Sequence, residues 1–226
     1  MFNSKMLNYL FYVVNWKKPR QSADTILTAH YKQINCNLKI SAEELLKTLT
    51  NESYFSLFVD SMNKLKYHFL YDSRIHGQSH IERVAILSFA LGLQLQLEYE
   101  DLRLCLEIAK YHDVGRQDEG EDELHGIRGA EKIAVICDDL SNEDKTLIAA
   151  VIAAHSFEDD CCMDVFEQRD VSTDDHYLKH KLLLGIIKDA DALDRFRLRN
   201  NSLNTDYLRL TNSIALIRAA CEMVHA

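Results

Sequence analysis

Apolar positions along this chain recur three and four residues apart rather than alternating, and the runs that carry the spacing are too long for strands. Ser41 followed by Glu44 ahead of LLKTL is a capping box, so a helix is predicted to begin there. Residues 1–70 read as a helical lead-in packed on the core, including the apolar stretch MLNYLFYVV at 6–14. After the turn-like YDSRIHGQS, the run SHIERVAILSFALGLQLQL puts His80, Val84, Leu87 and Leu91 on one stripe and aims His80 at the core. In DLRLCLEIAKYHDVG the stripe is Leu102, Cys105, Leu106, Ala109 and then His112 or Asp113, with Gly115 as a C-terminal stop.

The acidic run DEGEDE at 118–123 has no apolar period and reads as a solvated loop. Helix resumes at about 125–137, and Ser141 or Asn142 caps the next one, whose Leu147, Ile148, Val151, Ile152 and His155 share a face with His155 at its end. Residues 157–175, rich in aspartate and without a period, read as a loop. The run YLKHKLLLGIIKDADALDRFRL then gives the stripe Leu184, Ile187, Asp191, Asp194, Leu198, and 206–224 is a closing helix. No repeat or linker divides the chain, so residues 71–226 and the lead-in are expected to form one compact all-α bundle.

Composition supports that class. Seven glycines and one proline, Pro19, are too few for the many turns of a β fold, and 47% apolar content fills one sizeable core. A formal charge of −9 repels a phosphate backbone, which argues against generic nucleic-acid binding. The apolar stretch at 6–14 is too short to span a bilayer, so no membrane association is expected. Six cysteines without CxxC spacing fit a reducing, cytoplasmic setting. The adjacent Cys161 and Cys162 are read as part of an acidic loop in preference to a redox switch.

The pattern also aims imidazoles and carboxylates from several helices into an apolar interior. Each such group is costly to bury unless it is hydrogen-bonded or bound to a metal, and one shared metal accounts for the set. Nitrogen and carboxylate donors without thiolate suit zinc, iron, manganese or a similar divalent ion. Any single one of the ten histidines is more often a satisfied or surface residue than a ligand, so the argument rests on the set.

That set, read as HGQSHIERV, YHDVGR and KDADALDR, resembles the HD superfamily of metal-dependent phosphohydrolases. The resemblance implies that His80, His112, Asp113 and Asp191 bind a metal, and it favours Asp191 over Asp189, between which helical spacing does not choose. HGIRGAEKI at 125–133 and AAHS ending at 156 are similar to the segments that supply two further histidines in dinuclear members, which implies His125 and His155 as ligands of a second ion. Two ions per chain (Mn, Fe, Zn or Mg) are therefore expected, with Asp113 bridging them and acting in catalysis. The chain lacks the GYP segment of the cyclic-di-nucleotide branch and has Ser156 where a paired histidine often stands.

Arg116 occupies the place of a cation that holds a phosphoryl oxygen in relatives, making it a catalytic and substrate-binding candidate; the competing reading pairs it with the acids at 118–123. His76 is a candidate substrate contact, with a hydrogen bond at the start of its helix as the alternative. Asp194 either orients a ligand or pairs with Arg197 or Arg199. The expected activity is hydrolysis of a small phosphoester, a nucleotide among the candidates. The alternatives are di-iron oxygenase chemistry, as in the myo-inositol oxygenase branch with the same ligand order, and a non-catalytic, metal-stabilised sensor.

Overall fold

The computed structural model describes residues 40–169, 174–198 and 203–225. The expected helix at 6–14, Pro19, Cys36 and Arg199 lie outside the described residues. The described chain is all helical, with α1 (Ala42–Thr50), α2 (Phe55–Asn63), α3 (Gln78–Gln94), α4 (Tyr99–Tyr111), α5 (His125–Ile136), α6 (Asn142–His155), α7 (Cys162–Glu167), α8 (Asp174–Leu193) and α9 (Thr211–Val224) joined by short 3₁₀ turns. No helix among the described residues is long and apolar enough to cross a membrane.

The start of α1 is the expected capping box: the Ser41 hydroxyl accepts from the Glu44 backbone N–H, and the Glu44 carboxylate accepts from the Ser41 N–H at 2.9 Å. Ser141 rather than Asn142 caps α6, accepting from the Asp144 N–H. Helix α3 and the part of α6 from Leu147 onward are apolar nearly all round, and both run through the middle of the bundle. Around them, α3 packs on α4 and α8, and α6 packs on α5, α4 and α8. One hydrophobic cluster extends from Ala42 in α1 to Met223 in α9, so residues 42–65 of the lead-in share the core of the segments that follow. Helix α1 packs on α9, and α2 on α4, where the buried Lys110 ammonium donates to the Ser61 carbonyl and the Glu107 carboxylate.

Three local expectations are corrected. Residues 157–175 are not one loop: a 3₁₀ turn at Asp159–Cys161 leads into α7, and α8 begins at Asp174. Cys162, Val165 and Phe166 form a buried stripe of helical spacing, too short to stand out against the surrounding acids. The closing helix begins at Thr211, after a 3₁₀ turn at Thr205–Tyr207.

Gly115 does not act as a left-handed stop, since no described glycine has positive φ. It is required because the start of α5 passes so close that a Cβ there would lie 2.0 Å from the His125 carbonyl oxygen and 2.3 Å from the Gly129 nitrogen. Gly126 plays the same part between α5 and α6, where a Cβ would meet the Ile152 carbonyl at 2.6 Å. These two close approaches bring the N-terminus of α5 against both the end of α4 and the end of α6.

Candidate metal centre

The histidine-bearing helix ends meet around Asp113. His80 lies in the first turn of α3, His112 caps the C-terminus of α4, His125 opens α5 and His155 closes α6. All four are buried, and their rings form a continuous chain with centroids 5.1 Å (His80–His112), 5.3 Å (His112–His155) and 4.7 Å (His125–His155) apart. Placing His112 and His155 at helix C-termini sets the negative ends of two helix dipoles toward the centre, which favours positive charge there.

Asp113 divides this chain in two. Its Oδ2 lies 3.0 Å from His76 Nδ1, 3.4 Å from His80 Nε2 and 3.8 Å from His112 Nε2. Its Oδ1 lies 3.1 Å from His125 Nε2 and 3.8 Å from His155 Nε2. Asp191, at the end of α8 with a side chain one-third exposed, brings Oδ1 to 3.4 Å from His80 Nε2 on the first side only. The six residues implied by the resemblance are thus brought together, as two groups with Asp113 between them. Groups of donor atoms within 4.8 Å of one another are His80, His112, Asp191; His112, Asp113, His155; and His76, His80, Asp113.

The tautomers decide what such groups can hold. His112 Nδ1 donates to the Ala109 carbonyl at 2.9 Å, His155 Nδ1 to the Ile152 carbonyl at 2.6 Å, His125 Nδ1 to the Asp122 carbonyl, and His80 Nδ1 to the Asp194 carboxylate at 2.8 Å. Each neutral ring then presents a bare lone pair at Nε2. The His80 and His112 Nε2 atoms face each other at 3.1 Å, and those of His125 and His155 at 2.9 Å. Lone pairs at that separation repel unless a cation lies between them. Two ligands about 2.1 Å from one ion and separated by a right to tetrahedral angle are themselves about 3.0–3.4 Å apart. The donor set therefore fits divalent metal.

Electrostatics agree for His112 and His155. Burial is the largest influence on His112 and, against the attraction of Asp113, pushes its pKa down to about 3; His155 is lowered for the same reason, so both stay neutral. Burial and the Arg197 charge push His80 down, but its hydrogen bonds to Asp113 and Asp194 outweigh them and leave it raised. Burial opposes ionisation of Asp113, yet the surrounding imidazoles hold its carboxyl well below the usual range. Asp191 is lowered likewise, with Arg197, His80 and His112 overcoming the burial effect.

The remaining candidates resolve individually. Asp189 faces away from the centre and is fully buried, accepting from the backbone N–H groups of Arg209 and Leu210 at 2.9 Å and from the Ser213 hydroxyl at 2.7 Å, so it anchors the start of α9. Asp194 supports His80 and is gripped by Arg83 at 2.5 and 3.0 Å; Arg197 lies 3.5 Å from it. Arg116 donates to Asp113 Oδ1 at 3.2 Å and to the Gly120 carbonyl at 3.1 Å, a backbone atom of the acidic run rather than one of its side chains. His76 is buried against Asp113, with its N–H held by the Ser73 hydroxyl at 2.8 Å.

Two contributions had no signal in the sequence. Asp122, inside the run read as solvated, orients His125 through its carbonyl while its side chain pairs with Arg128. Ser156 ties α6 to the same run by donating to the Glu123 carbonyl at 2.6 Å. A cavity of about 390 Å³ opens beside the centre; His155 and Asp191 form part of its wall, together with Glu158, Lys188, Arg195, Arg209 and Tyr207.

No curated protein and no solved structure matches the chain. The HD domain family model matches residues 77–195, just over half the chain and every residue from His80 to Asp194 in the arrangement above. With its helical architecture, its buried His-Asp pair and that match, the chain belongs to the HD domain family.

Proposed function

We propose that this protein is a two-metal phosphohydrolase acting on a small phosphoester. The observation that carries the reading is the division of Asp113, one carboxylate oxygen turned to each imidazole pair. His80, His112, Asp191 and Asp113 would hold one divalent ion, and His125, His155 and Asp113 a second. Such ions supply Lewis-acid activation of water and neutralise charge on a phosphoryl group at neutral pH.

The chain's own residues do the rest. Carbonyls and Asp194 fix each Nε2 toward the centre, so no reorientation is needed before chemistry. Arg116, held on Asp113 Oδ1, places a guanidinium where charge accumulates on phosphoryl oxygens. His76 donates from Nδ1 to Asp113, which keeps that carboxylate turned to both sides and leaves the other ring nitrogen for the substrate. The neighbouring cavity, whose wall carries Lys188, Arg195 and Arg209 beside Glu158 and Asp191, is of a size for a small ester and supports an enzyme over a metal-stabilised scaffold.

The test is metal analysis of anaerobically purified protein, with phosphoester and oxygen-uptake assays on the same sample. About two ions per chain and phosphate release without oxygen consumption are expected, with His125→Ala reducing the stoichiometry to about one. A wild-type protein that binds one ion, together with a fully active His125→Ala variant, would overturn the dinuclear reading. Substrate-dependent oxygen uptake would replace hydrolysis by oxygenase chemistry.

A further inference from the structure

The three carboxylates of the centre are each matched by a guanidinium. Asp113 pairs with Arg116 at 3.2 Å, Asp194 with Arg83 at 2.5 Å, and Asp191 with Arg197 at 3.5 Å. With neutral imidazoles this cluster carries no net charge. Two divalent ions therefore add about four positive charges that nothing within the cluster offsets, a costly imbalance in a buried site. A ligand with two negative charges reduces that surplus more than one with a single charge.

Arg197 supplies an independent sign that a ligand belongs here. Its side chain is only 8% exposed, and its Nε donates to the Ile75 carbonyl at 3.0 Å. Its Nη2 reaches His76 Nδ1 and Asp191 Oδ1 only at 3.4 and 3.5 Å, and its Nη1, 3.5 Å from Asp194 Oδ2, makes no hydrogen bond among the described residues. A buried guanidinium with open donors is costly unless an acceptor arrives from outside the chain. Arg197 stands on the Asp191 side of the centre and Arg116 on the Asp113 Oδ1 side, so the two cations flank it. The cavity beyond Asp191 adds Lys188, Arg195 and Arg209 to its wall against Glu158, with Asp159 bridging Lys188 and Arg209. Arg197 also lies outside the residues matched by the family, which end at 195.

We infer that the substrate is a phosphomonoester dianion whose terminal phosphoryl group is held between Arg116 and Arg197, making Arg197 a substrate-contacting residue. The inference rests on the two-metal hydrolase reading. A monoester presents three free oxygens, enough for the centre and for both guanidiniums. In a diester one of those oxygens is esterified, and the contact to Arg197 is lost.

The manganese-loaded wild type, Arg197→Gln and Arg197→Lys are assayed with p-nitrophenyl phosphate and bis(p-nitrophenyl) phosphate, with metal content and melting temperature measured on each sample. The wild type is expected to prefer the monoester. Arg197→Gln is expected to lose roughly 10- to 100-fold in kcat/KM on the monoester, the size of a charge-assisted hydrogen bond, with little change on the diester. Its metal content stays as in the wild type, and Arg197→Lys recovers part of the loss. A wild-type preference for the diester, or equal losses on both esters, overturns the assignment. So does an Arg197→Gln variant that loses an ion and regains activity with excess manganese, since Arg197 would then only support Asp191. If the wild type hydrolyses neither ester, the hydrolase reading fails separately, and calorimetric titration with inorganic phosphate decides the rest. Phosphate binding weakened at least tenfold in Arg197→Gln upholds the anion site, and no binding by the wild type overturns it.

Discussion

The two halves of the centre are built by different means. In the half formed by His80, His112 and Asp191, the His80 ring is fixed by a carboxylate 114 residues away, Asp194, which is itself gripped by Arg83. In the half formed by His125 and His155, each Nδ1 is fixed by the backbone carbonyl three residues earlier, that of Asp122 just before α5 and that of Ile152 within α6. His112 in the first half is also fixed locally, by the Ala109 carbonyl, so the first half adds a long-range side-chain pair at His80, whereas the second rests on backbone carbonyls and on helix ends brought together by close packing at Gly126. A ligand supported by its own turn is aligned once the helix forms, whereas one supported across the fold is aligned only after the core closes.

The largest effect should come from the one residue both halves share. Asp113→Ala is expected to abolish the proposed phosphatase activity, by at least about a thousandfold, and to lower occupancy on both sides, because it removes the carboxylate that both pairs share. Full turnover with unchanged metal content would remove Asp113 from the centre and erase the comparison.

Asp194→Asn acts on one half alone. It should weaken the ion at His80, His112 and Asp191 by roughly 10- to 100-fold and leave the ion at His125 and His155 in place, as measured by competition with a chromophoric chelator. Equal weakening of both ions would mean that the halves are not supported separately.

The two aspartates of α8 sharpen the same contrast. Asp191→Asn should lower metal occupancy with a small change in thermal stability, whereas Asp189→Asn should cost about 2 kcal/mol of stability in denaturant unfolding and leave occupancy intact, because Asp189 satisfies the start of α9. Reversed outcomes would move the ligand to Asp189.

The smallest effect is a pH slope in the metal-free protein. His112 has its pKa pushed down to about 3, so from about 6.5 down to that value the unfolded chain takes up a proton that the folded chain refuses. That stability is present above the unfolded value and is lost as pH falls, and His155 acts in the same direction. His80 has the opposite sign: its raised pKa contributes below the unfolded value and fades as pH rises. His225 is also lowered by burial, and with three described histidines against one the melting temperature should fall by a few degrees between pH 7 and pH 4.5. His112→Asn should flatten the profile, and a flat wild-type profile would contradict it.

Much of this arrangement was legible in the chain. The stripe His80, Val84, Leu87, Leu91 and the stripe ending in Ile152 and His155 follow from helical period alone, because a ligand in register with core residues is carried inward with them. Helix α7 was not legible, since three buried residues inside an acidic run give less than one full period to read. Asp122 and Ser156 were not legible either: one acts through a backbone carbonyl and the other on one, and neither contact has a residue-type signature.

By itself the sequence determined the longer helices, their inward faces and the order of the donors, because these depend on spacing within single segments. Helical spacing alone left Asp191 and Asp189 open, and the tertiary structure turns Asp191 toward His80 and Asp189 toward the start of α9, since residues two apart on a helix point to different sides and what meets each side comes from elsewhere in the chain. It likewise turned the two oxygens of Asp113 to different imidazole pairs and left Arg197 buried with open donors, because both depend on which helix ends the core packs together.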